Sequence, residues 1–338
     1  MSLVARVSLT GEAEVDPEDY LFSSLSVIFP DDTTNQHGDA DHGVLYTSPH
    51  LPEPITMSVT DPEGDSDRKL FSHFLWNASL MLAKLVEAGT LDAAERRGDS
   101  AIAGLRGSGP VPVTEADTVV SKYCSVSTEF DIAGQSTIEL GAGTALPSIM
   151  SAILGAARVT ITDYPSDVVM DNLKENIKRN VRIADSPRNE REKQEQQEKR
   201  NPVSTSEITV DGHAWGEFDT DVARTGYHAY DRVCVCDCLW MLWQHDNLRK
   251  SISWFLKDTD QDKERAARCW VIGGFHTGRE KVAAFFDKEA LAAENLDIEA
   301  IWERDCDDQE RPWVEDRGVE DKTERKRWLT VAILRRKQ

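Results

Sequence analysis

Ile138-Glu139-Leu140-Gly141-Ala142-Gly143-Thr144, entered through Ser136-Thr137 and left through Ala145 to Leu154, is the stretch that decides the fold. Residues 136–140 are short, apolar and rich in β-branched side chains, as a buried strand is. Small and aliphatic residues then recur at helical spacing through Leu154. Strand, glycine turn and helix follow in order, and Asp163 stands twenty residues beyond Gly143 at the end of the next strand-like run. Glycines let the backbone take positive φ and come close to a ligand, while an acid at that strand end can accept ribose hydroxyls. A ribose-bearing cofactor is the expectation. Taken alone, the motif is equally a common turn from strand into helix.

A dinucleotide fingerprint needs a third glycine at position 146, which is Leu146 here, followed by Pro147. Glu139, two residues before Gly141, sets a carboxylate where a pyrophosphate is repelled and the cationic sulfonium and amino group of S-adenosylmethionine (SAM) are attracted. The expected cofactor is therefore SAM, with NAD-dependent oxidoreduction as the weaker alternative.

The chain has 338 residues and is 40% apolar, ample for a large core. Its 60 acidic residues against 39 basic ones give a formal net charge of -21, which argues against a phosphate-binding nucleic-acid protein and favours cationic partners. No uninterrupted apolar run is long enough to span a membrane, and the N-terminus has acids where a signal peptide needs a basic start. The expectation is a cytoplasmic protein with no membrane partner, the nucleus remaining open. Cys234-Val235-Cys236-Asp237-Cys238 lies in an apolar run, so its alternate thiols are expected buried on one strand face rather than arranged around a metal.

Residues 1–65 read as an irregular N-terminal extension with brief strand-like runs such as 25–29, and residues 66–338 as one domain. Apolar residues from Phe71 to Val86 follow helical spacing, with Gly89 placed to end the helix. Residues 94–113 read as a loop, and a short helix is expected near 116–123. Strands are expected near 136–140, 158–162, 207–210, 231–237, 268–274, 297–303 and 328–335, with helices near 145–155, 165–179, 245–257 and 279–293. This alternation predicts an α/β fold, a Rossmann-like, seven-stranded, mostly parallel sheet with helices on both faces and a C-terminal antiparallel strand pair. The charged segment 186–203 reads as a solvated insertion.

Four motifs resemble one family. They are Leu70 to Ala78 with Trp76, Ile138 to Pro147, Thr162-Asp163-Tyr164-Pro165, and the pair formed by Trp215-Gly216 and Cys236-Asp237-Cys238-Leu239-Trp240. Together they resemble the class I, seven-β-strand SAM-dependent methyltransferases of the lysine and protein N-terminal branch (methyltransferase family 16). The first motif is similar to that of the fungal nicotinamide N-methyltransferase-like enzymes, which include methyltransferases of translation elongation factor 1-alpha. Trp240 stands where many lysine-directed members have tyrosine, so an aromatic wall is kept and its hydroxyl is lost.

The resemblance implies a cofactor site for SAM at Trp76, Glu139, Gly141, Gly143, Asp163, Tyr164, Trp215 and Cys236, with Trp76 over the cofactor and Trp215 near the adenine. It implies that Asp237 and Trp240 serve the acceptor, Asp237 orienting an amine and Trp240 facing the methylated nitrogen. The implied substrate is a protein amine, either a lysine side chain or an N-terminal α-amine. A small amine metabolite and a non-catalytic SAM-binding subunit are the alternatives. Each residue also has an ordinary role available: core packing for Trp76 and Trp215, and helix capping for Asp163. His245 reads as a helix-start residue and His73 as a packed histidine.

Overall fold

The glycine motif lies at the centre of a sheet whose neighbouring strands come from most of the chain. The computed structural model describes residues 2–10, 33–38, 42–59, 74–117, 121–124, 129–183, 200–258 and 266–337. Five short strands come first, β1 (Val7–Leu9), β2 (Gln36–His37), β3 (Val44–Tyr46), β4 (Ile55–Met57) and β5 (Leu75–Trp76), and then the helix Asn77–Arg97. Strands β6 (Ser136–Leu140) and β7 (Arg158–Asp163) flank the helix Leu146–Ile153. The helix Asp167–Asn180, the small pair β8 (Arg182–Ile183) and β9 (Val203–Ser204), and β10 (Glu207–Gly212) follow. Next come β11 (Arg232–Cys236), the helix His245–Phe255 and β12 (Arg268–Gly274). Last are β13 (Leu296–Asp305), β14 (Glu310–Pro312) and β15 (Trp328–Arg336).

The main sheet has the order β10-β7-β6-β11-β12-β15-β13-β14. It is parallel from β10 to β12, and β15, β13 and β14 join it antiparallel. The expected architecture is present, with the three-residue β14 added to the edge. Both faces are covered. Cys234, Cys236, Trp270 and Ile272 enter one apolar cluster with the helix Asn77–Arg97, while Val233, Val235, Cys269 and Val271 enter the other with the helix His245–Phe255. Burial on both faces makes these strands continuously apolar in sequence rather than alternating. The strand order turns back between β6 and β11, and in such sheets the carboxyl ends of the strands on either side open a crevice.

Several expectations are corrected. The helix expected from Phe71 begins at Asn77 and runs through Gly89 to Arg97, ending at Gly98 in a left-handed cap with φ 70°. Gly89 serves packing instead: a Cβ there would lie 2.8 Å from the backbone of Phe130. Trp76 precedes the helix, and its strand β5 pairs with β2. The start of the expected loop at 94–113 is thus helical, and Ser100–Ala103 adds a further turn. Where the helix expected near 116–123 is described, the chain forms a 3-10 turn at Glu115–Asp117 and a non-helical turn within 121–124. The single helix expected over 279–293 is two, Arg279–Phe285 and Lys288–Ala293, the second capped by Asp287. The run at 25–29, residues 66–73 with His73, and most of the charged segment 186–203 lie outside the described residues.

The N-terminal stretch is not irregular where it is described. Strands β1, β3 and β4 form an antiparallel sheet whose Val44, Tyr46, Ile55 and Met57 belong to the same apolar cluster as the helix Asn77–Arg97. Beside it lies a buried set of charges: Arg6 pairs with Asp117 and bonds the Tyr46 hydroxyl, Ser48 donates to Glu87, and Lys84 pairs with Asp308. Buried charges persist when they are paired and hydrogen-bonded in this way. Among the described residues no helix is long and apolar enough to cross a membrane.

Candidate active site

At the carboxyl ends of β6, β7, β10 and β11 lies a cavity of about 440 Å³. Its floor is the glycine turn. The carbonyl of Thr162 accepts both the Gly141 and Ala142 N–H groups at 3.0 Å, and Oδ2 of Asp163 accepts the Gly143 N–H at 2.8 Å. The end of β7 thereby fixes the turn after β6. Gly141 has φ 75°, and a Cβ there would lie 2.8 Å from Cys238 Sγ and 3.1 Å from the Trp215 ring. Glycine is required both by conformation and by the closeness of these two side chains.

Asp163 does not cap the following helix. Its second oxygen accepts the N–H of Tyr164 at 2.7 Å, so each oxygen holds one backbone donor and keeps a lone pair for another. Burial raises its pKa, and it lines the cavity together with Tyr164. Glu139 differs from expectation. It is buried behind the turn, does not line the cavity, and its Oε2 accepts the N–H and hydroxyl of Ser148. Its Oε1 has no partner among the described residues. Burial without a countercharge pushes its pKa up to about 8.

Trp215 follows β10 and stands against the glycine turn, and Gly216 donates its N–H to Ser251 Oγ at 2.9 Å. Cys236 ends β11 and Cys238 lies two residues on; both are free, buried and at the cavity wall, and burial raises both thiol pKa values far above the ordinary range. Between them Asp237 has φ 56°, a conformation that non-glycine residues seldom adopt. Its N–H donates to the Ile272 carbonyl at 2.8 Å, and its Oδ1 accepts the Gly274 N–H at 3.0 Å. Trp240 lines the cavity beyond it, edge to face with Trp243 at 5.9 Å between ring centroids.

Of the residues singled out from sequence, Trp76, Gly141, Gly143, Asp163, Tyr164, Trp215, Cys236, Asp237 and Trp240 line this one cavity, and Glu139 stands outside it. The sequence did not point to Phe74, His213, Trp243, Gln244 or Asn247, which also line it. His213 is neutral at pH 7, since burial lowers its pKa to about 4. Nor did it point to His276, whose ring stacks on Trp76 with centroids 4.9 Å apart and planes at 17°. The available signal was position: His276 lies two residues past the end of β12, at the sheet edge where α/β proteins bind ligands.

The charged groups lining the cavity are Asp163, Glu217 and Asp237, all acidic; no lysine or arginine lines it among the described residues. A cationic ligand is favoured there and a pyrophosphate is not. The residues fit SAM on structural grounds: a glycine cradle that a Cβ would fill, a carboxylate with acceptor capacity to spare, aromatic walls and an anionic lining.

Residues 66–188 match the sequence profile of a family described as lysine methyltransferase. The protein N-terminal and lysine N-methyltransferase efm7 of Schizosaccharomyces pombe is 26% identical over 215 residues, covering 62% of this chain and 59% of that protein. The enzyme of the same name from Neurospora crassa is 26% identical over 206 residues, covering 57% of this chain and 64% of that protein. The one from Cryptococcus neoformans is 32% identical over 117 residues, about a third of each chain (34% and 33%). This chain thus spans less than two thirds of these relatives' length.

Proposed function

We propose that this chain, whose residues 66–188 match the profile of a lysine methyltransferase family, is a SAM-dependent N-methyltransferase that acts on a protein amine. One observation carries the proposal: the glycine turn pinned by Asp163 and the Asp237–Trp240 element open into the same cavity, whose charged lining is wholly acidic. Asp163 would hold the ribose, Trp215 and Tyr164 the adenosine, and Trp76 and Cys236 the walls beside the methionine part. When bound, SAM supplies an electrophilic methyl group on a positively charged sulfur.

The protein's own residues orient and desolvate the acceptor. Asp237 receives an incoming ammonium by charge, and loss of its proton to solvent frees the nitrogen lone pair. Passage into the slot beside Trp240 favours the neutral amine, because burial disfavours charge. The Trp240 ring stabilises the positive charge that the nitrogen regains on methylation, by cation–π attraction. Holding the nucleophile in line at about 3–3.5 Å from the methyl lowers the barrier by turning a bimolecular encounter into an effectively unimolecular step.

A protein acceptor is favoured over a metabolite by the shape of the exit. From the cavity, Trp243 leads outward 71% exposed, with Leu242 46% exposed beside it. The names of the relatives, which pair N-terminal and lysine methylation, support the same substrate class.

The test is incubation with methyl-labelled SAM and a cell extract separated into macromolecular and small-molecule fractions, with Asp163→Ala as control. Label is expected in a discrete protein band and absent with the variant. Label confined to small molecules would replace the protein acceptor with a metabolite. SAM binding without any transfer would leave a non-catalytic subunit.

A further inference from the structure

We infer that His276 is a positioning residue that fixes the two sides of the cavity at once, Trp76 through its ring and Asp237 through its nitrogen. The inference rests on the methyl-transfer reading for its kinetic readout, and on geometry for the rest.

Asp237 needs support because its backbone is held in the left-handed region at φ 56°, where non-glycine residues persist only if their surroundings dictate it. The end of β12 supplies that support. Gly274 donates its N–H to Oδ1 at 3.0 Å, and Nδ1 of His276 stands 3.8 Å from Oδ2. Both carboxylate oxygens are thus approached from one loop. At Gly274 a Cβ would lie 2.9 Å from His276 Nδ1, so glycine is what admits the imidazole to this position.

Trp76 belongs to a two-residue strand that pairs with Gln36–His37, and its ring also meets Phe74 edge to face at 6.1 Å. The imidazole covers one face of the indole at 4.9 Å. The loop that carries His276 is anchored in turn by Phe275, which is fully buried, stacks on Trp313 and lies under the Arg279 guanidinium at 4.1 Å. His276 does not line the cavity, so its effect passes through the two residues that do.

Two substitutions separate the two contacts. His276→Phe keeps a ring against Trp76 and removes the nitrogen facing Asp237; His276→Gln keeps a polar group near Asp237 and removes the ring. Titration calorimetry with SAM, kcat and KM for the acceptor protein, and the melting temperature are measured for both. His276→Phe is expected to bind SAM within about twofold of the parent and to lose about tenfold or more in kcat, the scale of one lost orienting contact. His276→Gln is expected to keep kcat within about threefold at saturating SAM and to weaken SAM binding about fivefold or more, the scale of a lost aromatic contact.

Unchanged SAM affinity and kcat in both variants would overturn the inference. So would an equal loss of both in the two variants with a common fall in melting temperature, because that describes a residue needed only for folding. If the parent protein binds SAM and methylates nothing, the methyl-transfer reading fails. His276 is then judged on SAM affinity alone, and a Gln variant no weaker than the Phe variant overturns it.

Discussion

Oδ2 of Asp163 accepts the backbone N–H of Gly143 at 2.8 Å, which ties the end of β7 to the turn that follows β6. The acid is therefore part of the turn's own structure, and its loss acts on the cradle as well as on any ribose. Asp163→Ala is expected to weaken SAM binding at least about tenfold, or about 1.4 kcal/mol. It should also lower the melting temperature, by no more than about 2–4 °C per kcal/mol, the shift shrinking as a chain lengthens. Calorimetry and a thermal melt check both. Wild-type SAM affinity in a folded variant would remove Asp163 from the site.

Glu139 makes stability fall as pH rises. Its folded pKa of about 8 lies above the ordinary 4.5, so between those values the folded state holds a proton that the unfolded chain has released. Its contribution is whole below about pH 4.5 and is lost as pH climbs through about 8. Glu139→Gln stays neutral in both states. The stability difference between parent and variant should therefore shift by a few kcal/mol toward the variant between pH 5 and pH 9. Urea unfolding of both proteins at several pH values measures it, and a pH-independent difference would contradict the burial argument.

The sequence made the sheet legible because its strands are buried on both faces: the expected strands at 136–140 and 268–274 coincide with β6 and β12. It misplaced the first long helix because Gly89 reads as a terminator, whereas it admits the Phe130 backbone against a helix that is buried nearly all round. Strands β1, β3 and β4, of three residues each, are too short to show alternation. Arg6, Lys84, Glu87 and Asp117 lie buried together, although charged residues are mostly exposed. Within the site, the residues of the glycine and D-C-L-W motifs were legible, since local order sets them side by side. The Trp76–His276 stack was not, since it joins residues 200 apart through tertiary packing alone.

The pH dependence of transfer should identify the acceptor amine. The profile of kcat/KM reports ionisations of the free reactants, so the acceptor amine enters it with its ordinary pKa. A lysine side chain, with an ordinary pKa of about 10.4, should give kcat/KM rising about tenfold per pH unit from 7 to 9. An α-amine, at about 7.7–8.0, should level off near pH 8. Peptides with the N-terminus acetylated, or with lysine replaced by arginine, separate the two. A flat profile between pH 7 and 9 for both would show that amine deprotonation does not limit the rate.

Trp243 should matter to a polypeptide acceptor and not to the cofactor. The wall runs outward from Asp237 through the half-buried Trp240 to Trp243, which meets Trp240 edge to face and is 71% exposed. Trp243 lines the cavity at its exposed rim, where a polypeptide acceptor has to continue outward. An exposed tryptophan at the rim of a cleft is the kind of residue on which an interface concentrates its energy. Trp243→Ala is expected to raise KM for the protein acceptor about five- to thirtyfold, the effect of losing about 1–2 kcal/mol of contact. Folding stability should change by less than about 0.5 kcal/mol, since so exposed a ring supports little of the core. SAM affinity should stay as in the parent, which separates a docking defect from a damaged cofactor site. If KM for the labelled protein band is unchanged, the acceptor leaves the cavity by another side and the aromatic rim has no part in choosing it.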